Sequence, residues 1–231
     1  DYPQDFNLRT LQQYYLDFDY MQTSGISYKM LTDEIGYMYY PSFSSGISST
    51  SLDYILAILH ESKGLIIDIR NNGGGLLTLV GRFIEENTAG GYIRHKTGPA
   101  HNAFSDPYPI EYEAADPVKR VKYLGKPILV LTNRSCYSAA NNFVAVMKTL
   151  PNVRIVGART GGGGGLPFSS ELPNGWSVRF SSCPISDRDD RSTEAGINPS
   201  PGCEVHCKDA DLAAGHDAIL DFAITLLQTA E

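Results

Sequence analysis

Short, continuous apolar runs constrain the fold of this chain more than any other feature. Residues 65–69 (LIIDI) and 127–132 (PILVLT) contain almost no polar side chains, and 153–157 form a third such run. Strands with this composition are buried on both faces, as in parallel sheets covered by helices. Segments with helical periodicity, such as 51–61 and 138–149, lie between the runs. This alternation predicts an α/β domain with a largely parallel sheet flanked by helices.

The remaining segments are assigned in the same way. Strands are predicted over 35–40 and 91–95, and helices over 76–86 and 216–228. Residues 166–172 and 176–182 flank the turn Pro173-Asn174-Gly175, which predicts a hairpin. Residues 97–123 are irregular. Aromatic residues at near-helical spacing in 1–30 predict a helical or linker segment that ends a domain upstream of Asp1, so that 31–231 form the core.

Composition narrows the possible functions. The chain has 231 residues, of which 42% are hydrophobic, enough to bury the core of one large domain. No run of about 18 apolar residues is present, so no membrane-spanning segment is predicted. The net charge of −7 argues against a nucleic-acid partner, which requires a basic surface.

The cysteines do not predict a metal site. The chain has four: Cys136, Cys183, Cys203 and Cys207. A zinc site would need a second ligand pair at metal spacing, and Cys183 alone does not supply one. Buried or free thiols are the favoured interpretation, although the sequence leaves their pairing open. No cofactor is predicted.

Two junctions between a predicted strand and the segment after it are candidates for catalysis. The first is the glycine-rich turn at 71–75, and the second is 136–140, where Ser138 stands at a predicted helix start. Free N–H groups and the positive end of the helix dipole surround such a serine. Together the two junctions offer a candidate nucleophile, Ser138, and candidate donors to an oxyanion hole, the N–H groups of Gly74 and Ala139. A serine at this place is more commonly only a helix cap, and glycine-rich turns also bind phosphate, although the nucleotide-binding fingerprints are absent.

Five ordered segments resemble peptidase family S41, the tail-specific or C-terminal processing proteases and the tricorn core. They are Ile67–Leu77 (IDIRNNGGGLL), Asn133–Phe143 (NRSCYSAANNF), Ile155–Gly164, Thr193–Val205 and Gly215–Ile224. The resemblance implies a crotonase/ClpP-like core with a cleft at the strand ends. It further implies a serine endopeptidase that acts on polypeptides, with Ser138 as nucleophile and Gly73, Gly75, Gly162 and Gly163 along the substrate. It also suggests a bacterial periplasmic, cell-surface or secreted enzyme.

The general base departs from the commonest family pattern. In the tail-specific proteases it is a lysine, whose position here is about Gly163, and the tract 160–165 contains none. Lys148 lies ten residues past Ser138 on one predicted helix, about 15 Å along the axis, and is out of reach. The tricorn-like branch instead resembles a Ser-His-Glu arrangement. Glu194 takes the glutamate position there, and the histidine comes from a helical segment upstream of the core.

No histidine of the chain holds a family base position. His95 and His101 are the candidates that could turn toward a cleft, while His60, His206 and His216 are expected to be structural or exposed. We therefore expect the base to come from upstream of Asp1.

Other residues are expected to be structural, and two other functions stay open. Asp68 and Arg70 should form an ion pair beneath the glycine turn. Asn141 stands where the family usually has glutamate, which leaves that neighbour's role open. A peptide-binding relative without catalysis and an acyl-CoA enzyme of the crotonase type are the alternatives. Cleavage preference and oligomeric state are not specified by the sequence.

Overall fold

A computed structural model describes residues 5–44 and 46–229, and it places an α/β fold around one six-stranded sheet. The strands, in chain order, are β1 (Met21–Thr23), β2 (Ile26–Met30), β3 (Ile35–Tyr39), β4 (Gly64–Asp68), β5 (Thr88–Ile93), β6 (Tyr108–Tyr112), β7 (Ile128–Thr132), β8 (Val153–Gly157), β9 (Pro167–Glu171), β10 (Ser177–Ser181) and β11 (Ile185–Ser186). The central sheet has the order β1-β2-β3-β4-β7-β8. β3, β4, β7 and β8 are mutually parallel, while β1 and β2 form an antiparallel extension. The predicted fold class is confirmed.

Helices cover both faces of the sheet. The helices are α1 (Leu8–Thr10, continued by a π-helical turn over Leu11–Tyr15), α2 (Ser49–Leu59), α3 (Ala139–Met147), α4 (Asp209–Ala213) and α5 (Ala218–Gln228). α2 and α3 bury one apolar cluster against the sheet, and α1, α4 and α5 bury a second cluster on the other face. The runs 65–69 and 128–131 are buried throughout, which explains why they are apolar except for Asp68.

Smaller β units lie beside the central sheet. β5 pairs with β6 and β11, while β9 and β10 form a separate two-stranded hairpin. The predicted hairpin is therefore confirmed. Residues 97–123 are not wholly irregular, because they contain β6. Its antiparallel pairing with β5 was not visible in a segment that lacks a regular apolar pattern.

The predicted helix over 76–86 is wrong. Only a single 3₁₀ turn, Val80–Arg82, forms there. The apolar side chains of Leu79, Val80 and Phe83 are buried, so tertiary packing accounts for their helix-like spacing. Gly81 shows how close that packing is, since a Cβ built there would lie 2.5 Å from the Glu113 carbonyl oxygen.

The expected boundary at residue 30 does not coincide with a structural break. β1 and β2 extend the central sheet, and Phe6, Leu11 and Leu16 belong to the apolar cluster beneath α5. Residues 5–30 are thus integral to the core. Whether a further domain precedes Asp1 stays a prediction.

A buried ion-pair network joins the chain ends to the sheet. The Asp68–Arg70 pair is confirmed, with Arg70 Nη2 2.6 Å from Asp68 Oδ2. Arg70 also lies 2.8 Å from Asp217, which caps the N-terminus of α5 and accepts the Leu220 N–H. Its guanidinium donates to the Asp5 carbonyl and lies over the Phe6 ring. Burial opposes the charge of Asp217, but Arg70 outweighs it and lowers the pKa of that carboxyl.

All four cysteines are free and buried. Burial raises the pKa of the Cys136 and Cys207 thiols to about 12, so both are protonated near neutral pH. The interpretation as buried thiols is confirmed.

Candidate active site

Loops that follow adjacent parallel strands meet at one edge of the central sheet. The loop after β4 and the loop after β7 are joined by a hydrogen bond from the Tyr137 N–H to the Asn72 carbonyl, at 3.0 Å. Asn133 and Asn71 add reciprocal bonds between the same loops. The loop after β8 joins on the other side, where the Ser138 N–H donates to the Gly162 carbonyl at 2.9 Å. In open α/β sheets, the carboxyl ends of the strands are where ligands bind.

Ser138 is half-buried and has an unusual backbone conformation. It precedes α3 with φ 58° and ψ −123°, in the region where a non-glycine residue is strained. Its side chain makes no capping bond to the helix that it begins. The alternative interpretation, that the Ser138 side chain only caps the helix, is therefore not supported. Strained turns between a strand and a helix present the catalytic serine in α/β hydrolases as well.

Gly74 lies directly against this turn. A Cβ built at Gly74 would be 2.8 Å from the Ala139 nitrogen, the Ser138 Cβ and the Tyr137 carbonyl oxygen, and its φ is +101°. Only glycine permits this approach. The two junctions singled out from the sequence are therefore in contact.

The prediction that the Gly74 N–H contributes to an oxyanion hole is wrong. This N–H donates to Asn72 Oδ1 at 2.9 Å, so it is not free for an oxyanion. Asn72 is buried and also bonds the Tyr40 carbonyl, which fixes its amide in this orientation. By contrast, the N–H groups of Ala139 and Gly73 have no acceptor within the described part of the chain. Ala139 is the first residue of α3, where the helix dipole adds positive potential.

A cleft of about 270 Å³ opens in front of Ser138. Its lining comes from the loop after β4, the start of α3, the loop after β8 and the β9–β10 hairpin: Gly73, Tyr137, Ser138, Gly163, Gly165, Pro167, Arg179, Phe180 and Ser181. Of the glycines expected along the substrate, Gly73 and Gly163 therefore line the cleft. Gly75 instead lies against Phe43 and Ser44, and Gly162 against the Glu194 carbonyl.

Glu194 lies beside this cleft. Its carboxylate accepts a hydrogen bond from Ser181 Oγ at 2.5 Å, and Ser181 lines the cleft. Its carbonyl accepts the Gly163 N–H at 3.2 Å. The side chain is exposed, so it is available to a further partner.

No described side chain hydrogen-bonds the Ser138 hydroxyl. His60 packs edge-on against Tyr123, and His206 lies near Asp5 and Glu204. Among the described residues, His95 and His101 form hydrogen bonds through their main-chain atoms and none through their imidazole rings. Lys148 donates to the Asn198 carbonyl, consistent with the expectation that it does not act on Ser138.

Asn141 has a structural role that glutamate would not fill. It is buried, donates from Nδ2 to the Thr193 carbonyl at 3.1 Å and accepts from Thr160 Oγ1 at 2.6 Å. Ionised glutamate accepts hydrogen bonds but donates none. Asn141 therefore ties the loop that contains Glu194 to the loop after β8.

Sequence reasoning missed several cleft residues. The hairpin was predicted from its turn, but nothing in its sequence showed that Arg179 and Phe180 would line the cleft in front of Ser138. Asn72 and Tyr137 lie in the two segments that the sequence marked as candidates for catalysis. Their contacts were not predicted, because these contacts form only when loops that are distant in sequence come together.

A larger cavity of about 560 Å³ lies elsewhere, lined by charged residues that include Lys148 and Asp187, and no predicted site residue lines it. Within residues 5–44 and 46–229, no three His, Cys, Asp or Glu side chains are grouped so as to bind a metal ion. None of the helices described here is long and apolar enough to cross a membrane.

This α/β fold places a strained serine at a helix start, against a glycine turn and in a cleft. The combination is typical of hydrolases that use a serine. The family model for peptidase family S41 matches residues 34–200. The chain belongs to peptidase family S41.

Similar proteins agree with this assignment. A solved structure from Parabacteroides merdae ATCC 43184, provisionally named a peptidase, has a TM-score of 0.91 and 47% identity, and the match covers 100% of this chain and 73% of that one. Carboxy-terminal processing protease CtpA of Bacillus subtilis is 27% identical over 157 residues, which are 66% of this chain and 31% of that protein. Mature CPAF complexed with lactacystin shares the fold, with a TM-score of 0.73 at 16% identity over 90% of this chain and 55% of that one. The chain spans only 12% to 31% of the length of the curated relatives that it matches.

Proposed function

We propose that this chain is the catalytic core of a serine endopeptidase that hydrolyses polypeptides, with Ser138 as its nucleophile. The observation that carries the proposal is the Ser138 turn. Its backbone is strained, its hydroxyl does not cap α3, and it opens into the cleft. Strain of this kind persists only where the surrounding structure enforces it, and it is concentrated at functional sites.

The reaction follows from the groups around Ser138. Its Oγ attacks the scissile carbonyl carbon while a base removes the hydroxyl proton, and the base then protonates the leaving amine. The resulting acyl-enzyme is hydrolysed by water. The Ala139 and Gly73 N–H groups are the proposed donors to the oxyanion, since both are free and adjoin the cleft.

The base in this proposal is a histidine upstream of Asp1, as in the tricorn-like branch that the sequence resembles. Glu194 would orient it, because its carboxylate lies at the cleft wall and is exposed. The relatives are bacterial, and the family resemblance is the ground on which we propose that this protein acts in the periplasm, at the cell surface or outside the cell.

A peptide-binding relative without catalysis is the second candidate. It is favoured by one observation, the absence of a described base at Ser138. The acyl-CoA alternative loses support, since the matching family model describes peptidases.

A fluorophosphonate probe tests the nucleophile. The chain, together with any residues that precede Asp1 in the protein, should be labelled at Ser138, and Ser138→Ala should abolish labelling. Ser135→Ala is the matched control, because Ser135 is an exposed neighbour outside the cleft lining. Labelling that survives Ser138→Ala would refute the assignment, and a wholly unlabelled protein would favour the binding relative.

The source of the base is tested by comparing chains. Residues 1–231 alone should be nearly inert toward unfolded proteins. Restoring the preceding residues should raise activity by about 10²–10⁴-fold, the usual contribution of general-base catalysis. Full activity from residues 1–231 alone would show that the base lies within them.

A further inference from the structure

The cleft wall formed by β10 carries a positive charge that the proposed reaction does not use. Arg179 lines the cleft in front of Ser138 and is exposed. Within the described residues, no hydrogen bond or ion pair engages its guanidinium. By contrast, Arg94 pairs with Asp190 and Arg191 pairs with Asp189. In a chain of net charge −7, an unpaired guanidinium in a cleft is a candidate site for an anionic group.

The pairing of the hairpin shows how β10 faces the cleft. The Leu172 N–H donates to the Trp176 carbonyl, and the Ser182 N–H donates to the Leu166 carbonyl. Hydrogen-bonded and non-hydrogen-bonded pairs alternate in an antiparallel ladder. Arg179 and Ser181 oppose Ser169 and Pro167 in non-hydrogen-bonded pairs, so their main-chain groups point away from β9. β10 has no other partner strand among the described residues.

The side chains alternate as well. Arg179 and Ser181 lie on one face of β10, two residues or about 7 Å apart, while Phe180 lies on the opposite face beside Phe168. Ser181 binds Glu194. One face of β10 therefore carries Ser181, which binds the Glu194 carboxylate proposed to orient the base, and Arg179, whose guanidinium has no partner among the described residues.

We propose that Arg179 is a specificity-determining residue that selects polypeptides with a carboxylate within a few residues of the scissile bond. This inference rests on the proposed function and deepens it. A planar guanidinium matches a carboxylate with two parallel hydrogen bonds, and an extended peptide passing Ser138 has the outer edge of β10 available for main-chain pairing. The carboxylate is an Asp or Glu side chain, or the C-terminus of the polypeptide.

Binding to the Ser138→Ala variant separates this inference from catalysis, because no turnover is needed. The probes are fluorescein-labelled ten-residue Ala/Ser peptides containing one Phe and ending in an amide. A single Glu is moved through the positions, and each peptide has a Gln counterpart. The neutral peptide with a free C-terminus tests the second source of carboxylate. Fluorescence anisotropy measures each Kd.

We expect at least one Glu peptide, or the free C-terminus, to bind about 3- to 10-fold more tightly than its neutral counterpart, as for one exposed charge-assisted contact. Arg179→Gln should remove this preference, whereas Arg9→Gln, an exposed change distant from the cleft, should keep it. Arg179→Glu should reverse the preference toward a peptide with Lys at the same position. The Glu preference should also weaken at high salt.

Equal affinity for all Glu and Gln pairs, or a preference that survives Arg179→Gln, would overturn the inference. Failure to bind any probe would overturn it as well. None of these outcomes bears on fluorophosphonate labelling of Ser138, which tests the proposed function separately.

Discussion

Gly74→Ala provides a direct test of how the two loops form the site. The new Cβ would lie 2.8 Å from the Ala139 nitrogen, the Ser138 Cβ and the Tyr137 carbonyl oxygen. These are main-chain atoms and a Cβ, so no flexible side chain can move aside. The Ser138 turn itself must shift.

The magnitude has two parts. A φ of +101° costs an alanine about 1–2 kcal/mol, and overpacking of this kind costs about a further 1–3 kcal/mol. The free energy of unfolding should therefore fall by about 2–5 kcal/mol. Because a displacement of about 1 Å at a reacting group can reduce the rate 10²-fold, fluorophosphonate labelling of Ser138 should fall by about that factor.

Gly125→Ala is the matched control. Gly125 also has positive φ, +72°, but a Cβ there meets nothing within 4 Å. It should cost only the backbone part, about 1–2 kcal/mol, and leave labelling unchanged. Urea denaturation and the labelling rate are measured on both variants. If Gly74→Ala matched Gly125→Ala in stability and labelled at the original rate, the contact between the two loops would not control Ser138.

Two further predictions concern the buried groups. Asp217→Asn should lower the free energy of unfolding at pH 7 by about 1.5–3 kcal/mol, because it removes one of the two carboxylates that bind the buried Arg70 guanidinium while Asp68 remains. Arg70 lowers the folded-state pKa of Asp217 against the effect of burial, so this stabilisation is complete above the unfolded pKa of about 3.9 and is lost as the pH falls through the folded value. The stability gap between the two proteins, followed by urea denaturation, should therefore be constant above about pH 5 and shrink below pH 4, and a gap that widened in acid would contradict the assignment. Separately, the four buried thiols should not react with Ellman's reagent at pH 8 in the folded protein and should all react in guanidinium, and rapid reaction of Cys136 or Cys207 in the folded state would contradict their burial and their raised pKa of about 12.

The central sheet could be predicted because its strands depend on local composition. Residues 65–69 and 127–132 are apolar except for Asp68 and Thr132, and a strand buried between two helical layers favours such a composition. The helix predicted over 76–86 was wrong because the conformation of this segment depends on tertiary packing and not on local composition. Its apolar side chains have helical spacing, yet they are buried in the cluster that α2 and α3 form with the sheet, and a Cβ at Gly81 would clash with the main chain at Glu113. Sequence spacing alone cannot distinguish a helix from an irregular segment whose apolar side chains are buried by tertiary packing.

The candidate site divides in the same way. Ser138 and the glycine turn were found because each follows an apolar strand, and the ends of parallel strands meet at one edge of a sheet. The engagement of the Gly74 N–H by Asn72 was not predictable, since it depends on one side-chain rotamer. Arg179 was also missed, because its approach to Ser138 depends on where a hairpin folds back.

The missing lysine has a physical explanation in the contact between Tyr137 and the glycine tract. A Cβ at Gly163 would lie 1.9 Å from Tyr137 Cζ, and one at Gly161 would lie 2.9 Å from Tyr137 Cδ2. The Tyr137 ring thus occupies the space in which a side chain at the lysine position would begin. Gly163 also has a φ of +67°, which lysine would adopt only with strain. In this conformation the half-exposed Tyr137 ring thus covers the position at which the tail-specific proteases have their lysine, and the backbone at Gly163 disfavours lysine as well. The proposed function accordingly takes a base of another kind, which the exposed carboxylate of Glu194 beside the same cleft would orient.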